Sequence, residues 1–220
     1  ELNGKIYVSG GFTHVGALEA NDVACYDKLT NTWSAVPGAH PFSTLLVHNG
    51  ELYCYYFTDS PTPPYPLTVA KWTGTAWITV GNLEASLSGK MASIGGMLYA
   101  FGDISTANGT PINYIAKWNG TAWSALGTGI GGGDYPLVHA LAVSGTDLYV
   151  GGSFSTAGGG SASNIAKWNG SSWSAFGAGL GTTTSTVYAI AISGSTVYAG
   201  GFFTAPNGDH ISRWDGSSWS

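Results

Sequence analysis

The stretch NIAKWNGSSWSAFG at residues 164–177 decides the fold, because versions of its centre recur along the whole chain. Residues 167–173 (KWNGSSW) return as KWNGTAW at 117–123, KWTGTAW at 71–77, RWDGSSW at 213–219 and, in degenerate form, CYDKLTNTW at 25–33. The second Trp of each copy falls at 33, 77, 123, 173 or 219, so the interval is 44 to 50 residues. A fixed interval of this size indicates an array of equal structural units.

Each unit is expected to hold four short antiparallel strands. In the fourth unit, β-rich runs separated by turn signals predict strand a at 138–143, b at 148–154, c at 164–168 and d at 172–176. The Asn-Gly pair at 169–170 predicts a two-residue type I′ hairpin between c and d. A second landmark, an aliphatic residue followed by Tyr, keeps the same interval at 6–7, 52–53, 98–99, 148–149 and 197–198.

This pattern predicts an all-β fold, a β-propeller of four-stranded antiparallel blades with five repeats visible. The single domain spans residues 1–220, with repeats at approximately 1–42, 43–89, 90–137, 138–186 and 187–220. The first repeat lacks a strand a, so we expect part of a six- or seven-bladed ring, with an imperfectly closed five-bladed ring as the alternative. Strict repetition disfavours an immunoglobulin-like sandwich, whose strands are not copies of each other.

The aromatic residues are predicted to hold the blades together. All nine Trp fall at two repeat positions, and Tyr26 takes the first of them in repeat one. Burying such a ring contributes about 2 to 3 kcal/mol, and we expect ring pairs between neighbouring blades. The glycine pairs at 10–11, 151–152 and 200–201 predict a bulge or the close approach of another backbone.

Composition excludes several classes of function. Only 9% of residues are charged, and seven Lys and Arg against twelve Asp and Glu give a net charge of −5. Because no basic run is present, we expect no nucleic-acid partner. No apolar stretch approaches the roughly 20 residues that span a bilayer, so no membrane insertion of this segment is expected.

The blade text at 149–154 (YVGGSF), 164–173 and 174–177 resembles Kelch-like propeller repeats. It is most similar to repeats of fungal cortical cell-polarity marker proteins and of related secreted bacterial repeat proteins, and it spans nearly the whole chain. This resemblance implies a propeller in an extracellular or cell-surface setting. It leaves the function open, since Kelch-like propellers include both binding scaffolds and oxidases.

Catalytic and cofactor motifs are not recognisable. A copper radical oxidase needs a Cys beside a Tyr with further Tyr and His ligands, and Cys54 lies next to Tyr53 and Tyr55. No spacing gathers His14, His139 and His210 around them, so Cys54 is interpreted as a strand residue equivalent to Val150. We therefore predict no catalytic residues, no metal and no cofactor; Cys25 and Cys54 allow at most one disulfide.

Two further patterns have structural explanations as well as functional ones. Lys71, Lys117, Lys167 and Arg213 share one repeat position, where their stems are expected to cover Trp rings while the charges stay in water. Three sequons make Asn108, Asn119 and Asn169 glycosylation candidates, although Asn-Gly-Ser or Asn-Gly-Thr also suits a hairpin turn.

In a propeller the b–c loops and the d–a loops emerge on one face, here named the loop face, and the a–b and c–d turns emerge on the opposite turn face. Loop residues differ between repeats while strand residues do not, and binding residues commonly lie on loops over a rigid scaffold. The predicted ligand-binding residues are therefore those of the loop face: His14, Glu19, Tyr65, Asp103, Asp134, Tyr135, Asp209 and His210.

Four functions are compatible with these observations. The favoured hypothesis is an extracellular or cell-surface interaction scaffold without catalysis, whose loop face binds a protein or a glycan. The alternatives are a carbohydrate-binding lectin, a copper radical oxidase of Kelch-like fold, and a structural spacer or filament subunit.

Overall fold

The computed structural model describes residues 1–40, 43–58, 65–204 and 210–220, with residues 86–88 described for the backbone alone. Every regular element in this part of the chain is a β-strand, and all strand pairings are antiparallel. The predicted all-β propeller of stranded blades is confirmed.

The strands follow the predicted repeats. Blade 1 holds β1 (Lys5–Ser9), β2 (His14–Val15), β3 (Leu18–Glu19), β4 (Val23–Asp27) and β5 (Thr32–Ala35). Blade 2 holds β6 (Thr44–His48), β7 (Glu51–Phe57), β8 (Tyr65–Trp72) and the first part of β9 (Trp77–Ile94). Blade 3 takes the rest of β9, then β10 (Met97–Ala107), β11 (Thr110–Pro111), β12 (Ile115–Trp118), β13 (Trp123–Ala125) and β14 (Ile130–Gly131).

Blade 4 shows the predicted unit most completely, with strands a to d in the order β15 (Leu137–Ser144), β16 (Asp147–Ser153), β19 (Ile165–Trp168) and β20 (Trp173–Ala175). Its b–c loop adds the short hairpin of β17 (Thr156–Ala157) and β18 (Gly160–Ser161). Blade 5 contains β21 (Thr186–Ser193), β22 (Thr196–Phe202) and β23 (Ile211–Trp214), and a bridge from Trp214 to Trp219 stands where strand d is expected.

Blades 2 and 3 are joined by one continuous strand rather than by a loop. β9 pairs with β8 through Trp77–Ala85 and with β10 through Leu83–Ile94, so the predicted repeat boundary at residues 89 and 90 lies inside it. The cause is local. Gly127 and Gly177 follow strand d in blades 3 and 4 with φ of +60° and +64° and turn the chain, whereas Gly81 at the same repeat position is not left-handed.

The c–d turns differ from the predicted type I′ hairpin. Trp118 pairs with Trp123, so four residues form the turn. Gly120 alone in this turn has a positive φ, of +98°. The Asn119 Oδ1 accepts hydrogen bonds from the Thr121 and Ala122 backbone N–H groups at 2.9 and 2.8 Å. The side chain of Asn therefore closes the turn, and a left-handed Asn is not needed.

The Trp residues form pairs within each c–d hairpin. Ring centroids lie 5.1 to 5.4 Å apart in all five blades, with Tyr26 as the partner of Trp33 in blade 1, so the repeated rings pair mainly within a blade; the expected ring pairs between neighbouring blades are found between blades 4 and 5. Contact across blades also uses the backbone: Trp173 Nε1 donates to the Leu126 carbonyl, and Trp219 Nε1 donates to the Phe176 carbonyl at 3.1 Å. The Phe176 ring also contacts Trp214 and Trp219 of blade 5.

The predicted close packing at paired glycines is confirmed at Gly151, Gly152 and Gly201, whereas a Cβ on Gly10 or Gly200 would meet nothing closer than 3.6 Å. A Cβ on Gly151 would come within 2.6 Å of Val187 in the next blade, and a Cβ on Gly152 would collide with the Leu137 carbonyl of its own blade. Strand a carries a bulge between Val138 and Ala140 at this level. The inner strands therefore have no room for side chains here.

The outer side of blade 5 is exposed where other blades are covered. Ile115 and Ile165 begin strand c of blades 3 and 4 and are 0% exposed, whereas the equivalent Ile211 is 68% exposed. The strand positions thus repeat in sequence, but their burial depends on a following blade.

Candidate functional site

The predicted loop-face residues are spread over several blades. His14 and Glu19 are paired across the β2–β3 hairpin, Asp134 and Tyr135 precede β15, and His210 precedes β23. Tyr65 is the first residue of β8 and Asp103 lies within β10, while Asp209 lies outside the described residues. The structure therefore brings together His14 with Glu19, and Asp134 with its chain neighbour Tyr135, but it does not join these groups.

One of these residues, His210, lies in a cleft of about 310 Å³ that is lined by the d–a loop of blade 4 and by residues 202–204 and 210 of blade 5. Its Nδ1 is 2.9 Å from the Phe203 carbonyl oxygen, so Nδ1–H donates this hydrogen bond. The Phe202 ring lies parallel to the imidazole at 6.2 Å and is 62% exposed. One wall of the cleft is therefore aromatic and accessible.

The opposite wall of the cleft carries hydroxyl groups. The Ser185 Oγ accepts a hydrogen bond from the Thr182 backbone N–H at 3.0 Å, and the Thr182 and Thr184 hydroxyls lie 3.1 Å apart. All three residues line the cleft. An aromatic wall facing hydroxyls offers apolar contact and hydrogen bonding at the same place.

A buried amide fixes this wall. Asn164 is 1% exposed; its Nδ2 donates to the Leu180 and Thr182 carbonyls at 2.7 and 2.8 Å, and its Oδ1 accepts from the Phe154 N–H. A fully satisfied buried amide is costly to break, so the d–a loop is held rigidly. Sequence reasoning missed this role, although an Asn directly before a strand and at a φ of +63° is a recognisable signal.

His210 occupies the repeat position of Asn164. The Gly152 N–H donates to the Asn164 carbonyl, and the Gly201 N–H donates to the His210 carbonyl, both at 3.0 Å. The same backbone position thus carries a structural amide in blade 4 and an accessible imidazole in blade 5. His210 keeps one structural contact through its Nδ1, and its exposed ring remains accessible for binding.

Tyr135 is the most exposed aromatic residue of the described loop face, with 89% of its surface accessible. Its carbonyl accepts a hydrogen bond from the Ser153 Oγ at 3.2 Å, which ties the d–a loop to the end of strand b. A large apolar side chain on an anchored loop is typical of a contact surface.

The residue types of a copper site do not converge. Cys54 is 1% exposed within β7, burial raises the pKa of its thiol to about 12, and Cys25 is likewise a buried free thiol. Burial and the nearby Lys90 lower the pKa of His139, whose ring contacts Tyr188. In the described ranges no three His, Cys, Asp or Glu side chains are grouped to hold a metal ion. The interpretation of Cys54 as a packed strand residue is confirmed.

The turn face carries two equivalent clefts that sequence reasoning missed. One lies between blades 2 and 3 with a volume of about 310 Å³, and the other lies between blades 3 and 4 with about 260 Å³. Each is formed by the a–b turns of two consecutive blades and the c–d turn of the later one, and each includes a member of the repeated cation position, Lys71 or Lys117.

The cleft between blades 2 and 3 contains a buried histidine. His48 is 7% exposed, and Asn49 Nδ2 donates to its Nε2 at 3.2 Å, so Nδ1–H faces the Ser93 hydroxyl at 3.0 Å. Burial lowers the pKa of His48, and Glu51 opposes that effect. Burial and the Glu51 carboxylate raise the pKa of Tyr53 to about 12, while the Lys71 ion pair lowers the pKa of Glu51.

We expect His48 to destabilise the fold in acid. Its native pKa lies below the ordinary 6.5, so the unfolded chain binds the proton more readily and the free energy of unfolding declines as the pH falls below about 6.5. Above that pH both states are neutral and this contribution is constant. Chemical denaturation of the parent and of His48→Gln between pH 5 and about pH 8 should show a shallower pH dependence in the variant. Parallel profiles for the two proteins would contradict the expectation.

Comparison with known proteins supports the fold. Residues 1–38 match the family model of the Kelch motif. No curated protein matches the chain. Among the 34 solved chains that match is the β-propeller domain of the Trilobed protease from Pyrococcus furiosus, which is described as having an open velcro topology.

That structure superposes with a TM-score of 0.57 at 11% identity, and the match covers 93% of this chain and 62% of the other. The present chain thus spans less than two thirds of that neighbour. At this identity the likeness establishes the architecture alone. The chain is a β-propeller whose first repeat, residues 1–38, matches the Kelch motif.

In the described residues no helix is long and apolar enough to cross a membrane.

Proposed function

We propose that this chain is an interaction scaffold that binds a protein partner through the cleft formed by Phe202, His210 and the loop at Thr182–Ser185. The observation that carries the proposal is the Phe202 ring, which is 62% exposed and lies beside His210. The other wall of the cleft is a loop that the buried Asn164 holds by hydrogen bonds. Accessible aromatic rings in preorganised concave sites supply much of the energy of protein recognition.

The repeat architecture supports this role. The two aromatic positions of the c–d hairpin recur in every blade, whereas the residue directly before strand c changes and is Asp22, Tyr114, Asn164 or His210 in blades 1, 3, 4 and 5. A rigid frame whose loop residues change from blade to blade is suited to presenting a specific surface. The Kelch match of the first repeat supports protein interaction as the class of function.

We place the protein outside the cell or at its surface. Asn108, Asn119 and Asn169 are all exposed sequon positions, which supports glycosylation in a secretory organism. The Asn119 side chain already closes its turn, so a glycan there has to replace hydrogen bonds to Thr121 and Ala122. Intact mass of the native protein, before and after enzymatic deglycosylation, decides whether these sites are used.

A glycan ligand is the second candidate, because Phe202 faces the hydroxyls of Thr182 and Thr184 across the cleft. A sugar ring stacks on an aromatic face while its hydroxyls bond to the opposite wall. The same cleft and the same variants serve both candidates, and a glycan array separates them.

Phe202→Ala is expected to weaken partner binding about 30-fold, the loss of roughly 2 kcal/mol typical of a central aromatic contact. The measurement is affinity capture of proteins from the source organism on immobilised parent and variants, followed by a binding assay with each captured protein. Leu29→Ala is the matched control, since Leu29 is 91% exposed on the turn face. A partner bound equally by parent and Phe202→Ala, or array hits without any protein partner, would overturn the proposed protein-binding role.

A further inference from the structure

The cation position that repeats along the chain is neutralised in some blades and not in others. Lys71 pairs with Glu51 at 2.9 Å in blade 2, and Lys167 pairs with Asp147 at 3.0 Å in blade 4. Both acids begin strand b, two residues before the Tyr that faces the cation across the sheet. The pairing therefore depends on one residue at the start of strand b.

In blade 3 that residue is Met97. Lys117 faces Tyr99 in the same register, but Met97 has no charge to offer it. Among the described residues Lys117 Nζ has no ion-pair or hydrogen-bond partner. The Lys117 side chain is half-buried in the cleft wall, and among the described residues its charge lacks the carboxylate partner that Lys71 and Lys167 have.

Lys117 is one of the residues that line the cleft between blades 3 and 4. Its volume is about 260 Å³, and its walls include the apolar or aromatic side chains of Met97, Tyr99, Val143 and Trp168, with Thr146 at the a–b turn of blade 4. A cleft that has one cation and mostly apolar walls fits a carboxylate at the end of a short aliphatic side chain. It does not suit a phosphate, which needs several donors at once.

The carboxylates at the equivalent strand position in the neighbouring blades are already paired with other lysines and do not neutralise Lys117. Asp147 borders the cleft in sequence, but its carboxylate is held by Lys167. In the equivalent cleft between blades 2 and 3, Glu51 accepts from both Lys71 and the Tyr53 hydroxyl, at 2.9 and 3.1 Å. Among the described residues, the cation in the cleft between blades 3 and 4 is thus unpaired, whereas the cation in the equivalent cleft between blades 2 and 3 is paired with Glu51.

We propose that the Lys117 cleft binds the side-chain carboxylate of a Glu residue in an acidic segment of a partner protein. The carboxylate takes the place that Glu51 and Asp147 occupy in the neighbouring blades, and the Glu methylene groups contact Met97 and Trp168. This site lies on the turn face, opposite the Phe202 cleft, so it is a second contact surface and does not depend on the proposed loop-face function.

The test uses the peptide acetyl-Gly-Glu-Gly-amide and its Gln counterpart, titrated into the isotope-labelled 220-residue chain. Backbone amide signals of Gly95, Gly145 and Gly170, which line the cleft, report binding by NMR. We expect shifts with the Glu peptide that weaken at high ionic strength, and none with the Gln peptide. Equal shifts with both peptides would overturn the proposal.

Two variants assign the effect to the proposed residues. Lys117→Met removes the cation, and Met97→Glu installs the internal ion pair of blades 2 and 4; each is expected to weaken binding about five-fold or more. Unchanged thermal unfolding establishes that each variant is folded, and undiminished binding in a folded variant would refute the role of that residue. Phe202→Ala leaves the titration unchanged, so failure here is distinct from failure of the loop-face proposal.

Glu51→Met provides a matched gain of function. It frees Lys71 in the cleft between blades 2 and 3, and we expect the Glu peptide to shift the signals of Gly96, Asn119 and Gly120 in this variant alone. Absence of new shifts in a folded Glu51→Met protein would show that an unpaired cation in this cleft is not sufficient for binding, which contradicts the proposed mechanism.

Discussion

Replacing Gly152 with Ala is expected to lower the free energy of unfolding by about 3 kcal/mol. The added Cβ would collide with the Leu137 carbonyl oxygen and lie 3.1 Å from the Val138 Cα, and both are backbone atoms of strand a. Backbone in the middle of a paired sheet cannot move aside as a flexible side chain can. Urea unfolding followed by Trp fluorescence measures the effect.

Gly160→Ala is the matched control for this change. A Cβ on Gly160 meets nothing closer than the Ala157 carbonyl oxygen at 3.7 Å, and its residue is exposed in the b–c hairpin of the same blade. We expect a change within about 0.5 kcal/mol. Gly201→Ala should match Gly152→Ala, because its Cβ would collide with the Thr186 carbonyl in blade 5. Similar stabilities for Gly152→Ala and Gly160→Ala would contradict the packing described for the inner strands.

Trp123→Ala is expected to cost about 4 kcal/mol of stability. The Trp123 ring is 8% exposed, pairs with Trp118 at 5.3 Å and packs against Gly81 of the preceding blade, where a Cβ would lie 2.6 Å from its Nε1. Removing the ring therefore opens a cavity both within a blade and between two blades. Equilibrium unfolding in urea with circular dichroism as the signal gives the difference.

Trp33→Ala separates these two contributions. Trp33 has the same repeat position and a similar ring partner, Tyr26 at 5.1 Å, but it is 39% exposed because no described blade precedes it. Its loss should cost about half as much, so the difference from Trp123→Ala, roughly 2 kcal/mol, estimates the inter-blade share. Equal costs for the two variants would mean that the rings stabilise single blades and not their association.

The strands of the blades were predictable because each is specified by residues close together in the chain. The repeated Trp positions, the aliphatic-Tyr landmark and the β-rich runs place β15, β16, β19 and β20 within a residue or two of their observed bounds. Five copies of one pattern reinforce each other, since an error in one repeat is visible against the rest.

Two local features of the backbone, the c–d turn and the strand between blades 2 and 3, differ from the prediction because of single residues. The predicted type I′ turn at Asn-Gly was wrong because the Asn119 side chain accepts the hydrogen bonds that close the turn, and its backbone is not left-handed. The continuous β9 was not foreseen because a glycine follows strand d at residues 81, 127 and 177, but only Gly127 and Gly177 adopt the left-handed conformation. A residue type allows such a conformation without requiring it.

The amino-acid sequence by itself determined the repeat, the blade architecture, the strand positions and the places where only glycine fits, because these follow from patterns within about 50 residues. The tertiary structure alone decided which of the predicted loop residues meet: His210 joins Phe202 and Thr182, while His14, Asp103 and Tyr135 lie elsewhere. It also decided which repeated lysine is left unpaired among the described residues, since Met97 takes the strand-b position from which Glu51 and Asp147 reach Lys71 and Lys167. Loops and charges depend on neighbours brought together by packing, and no local pattern specifies those neighbours.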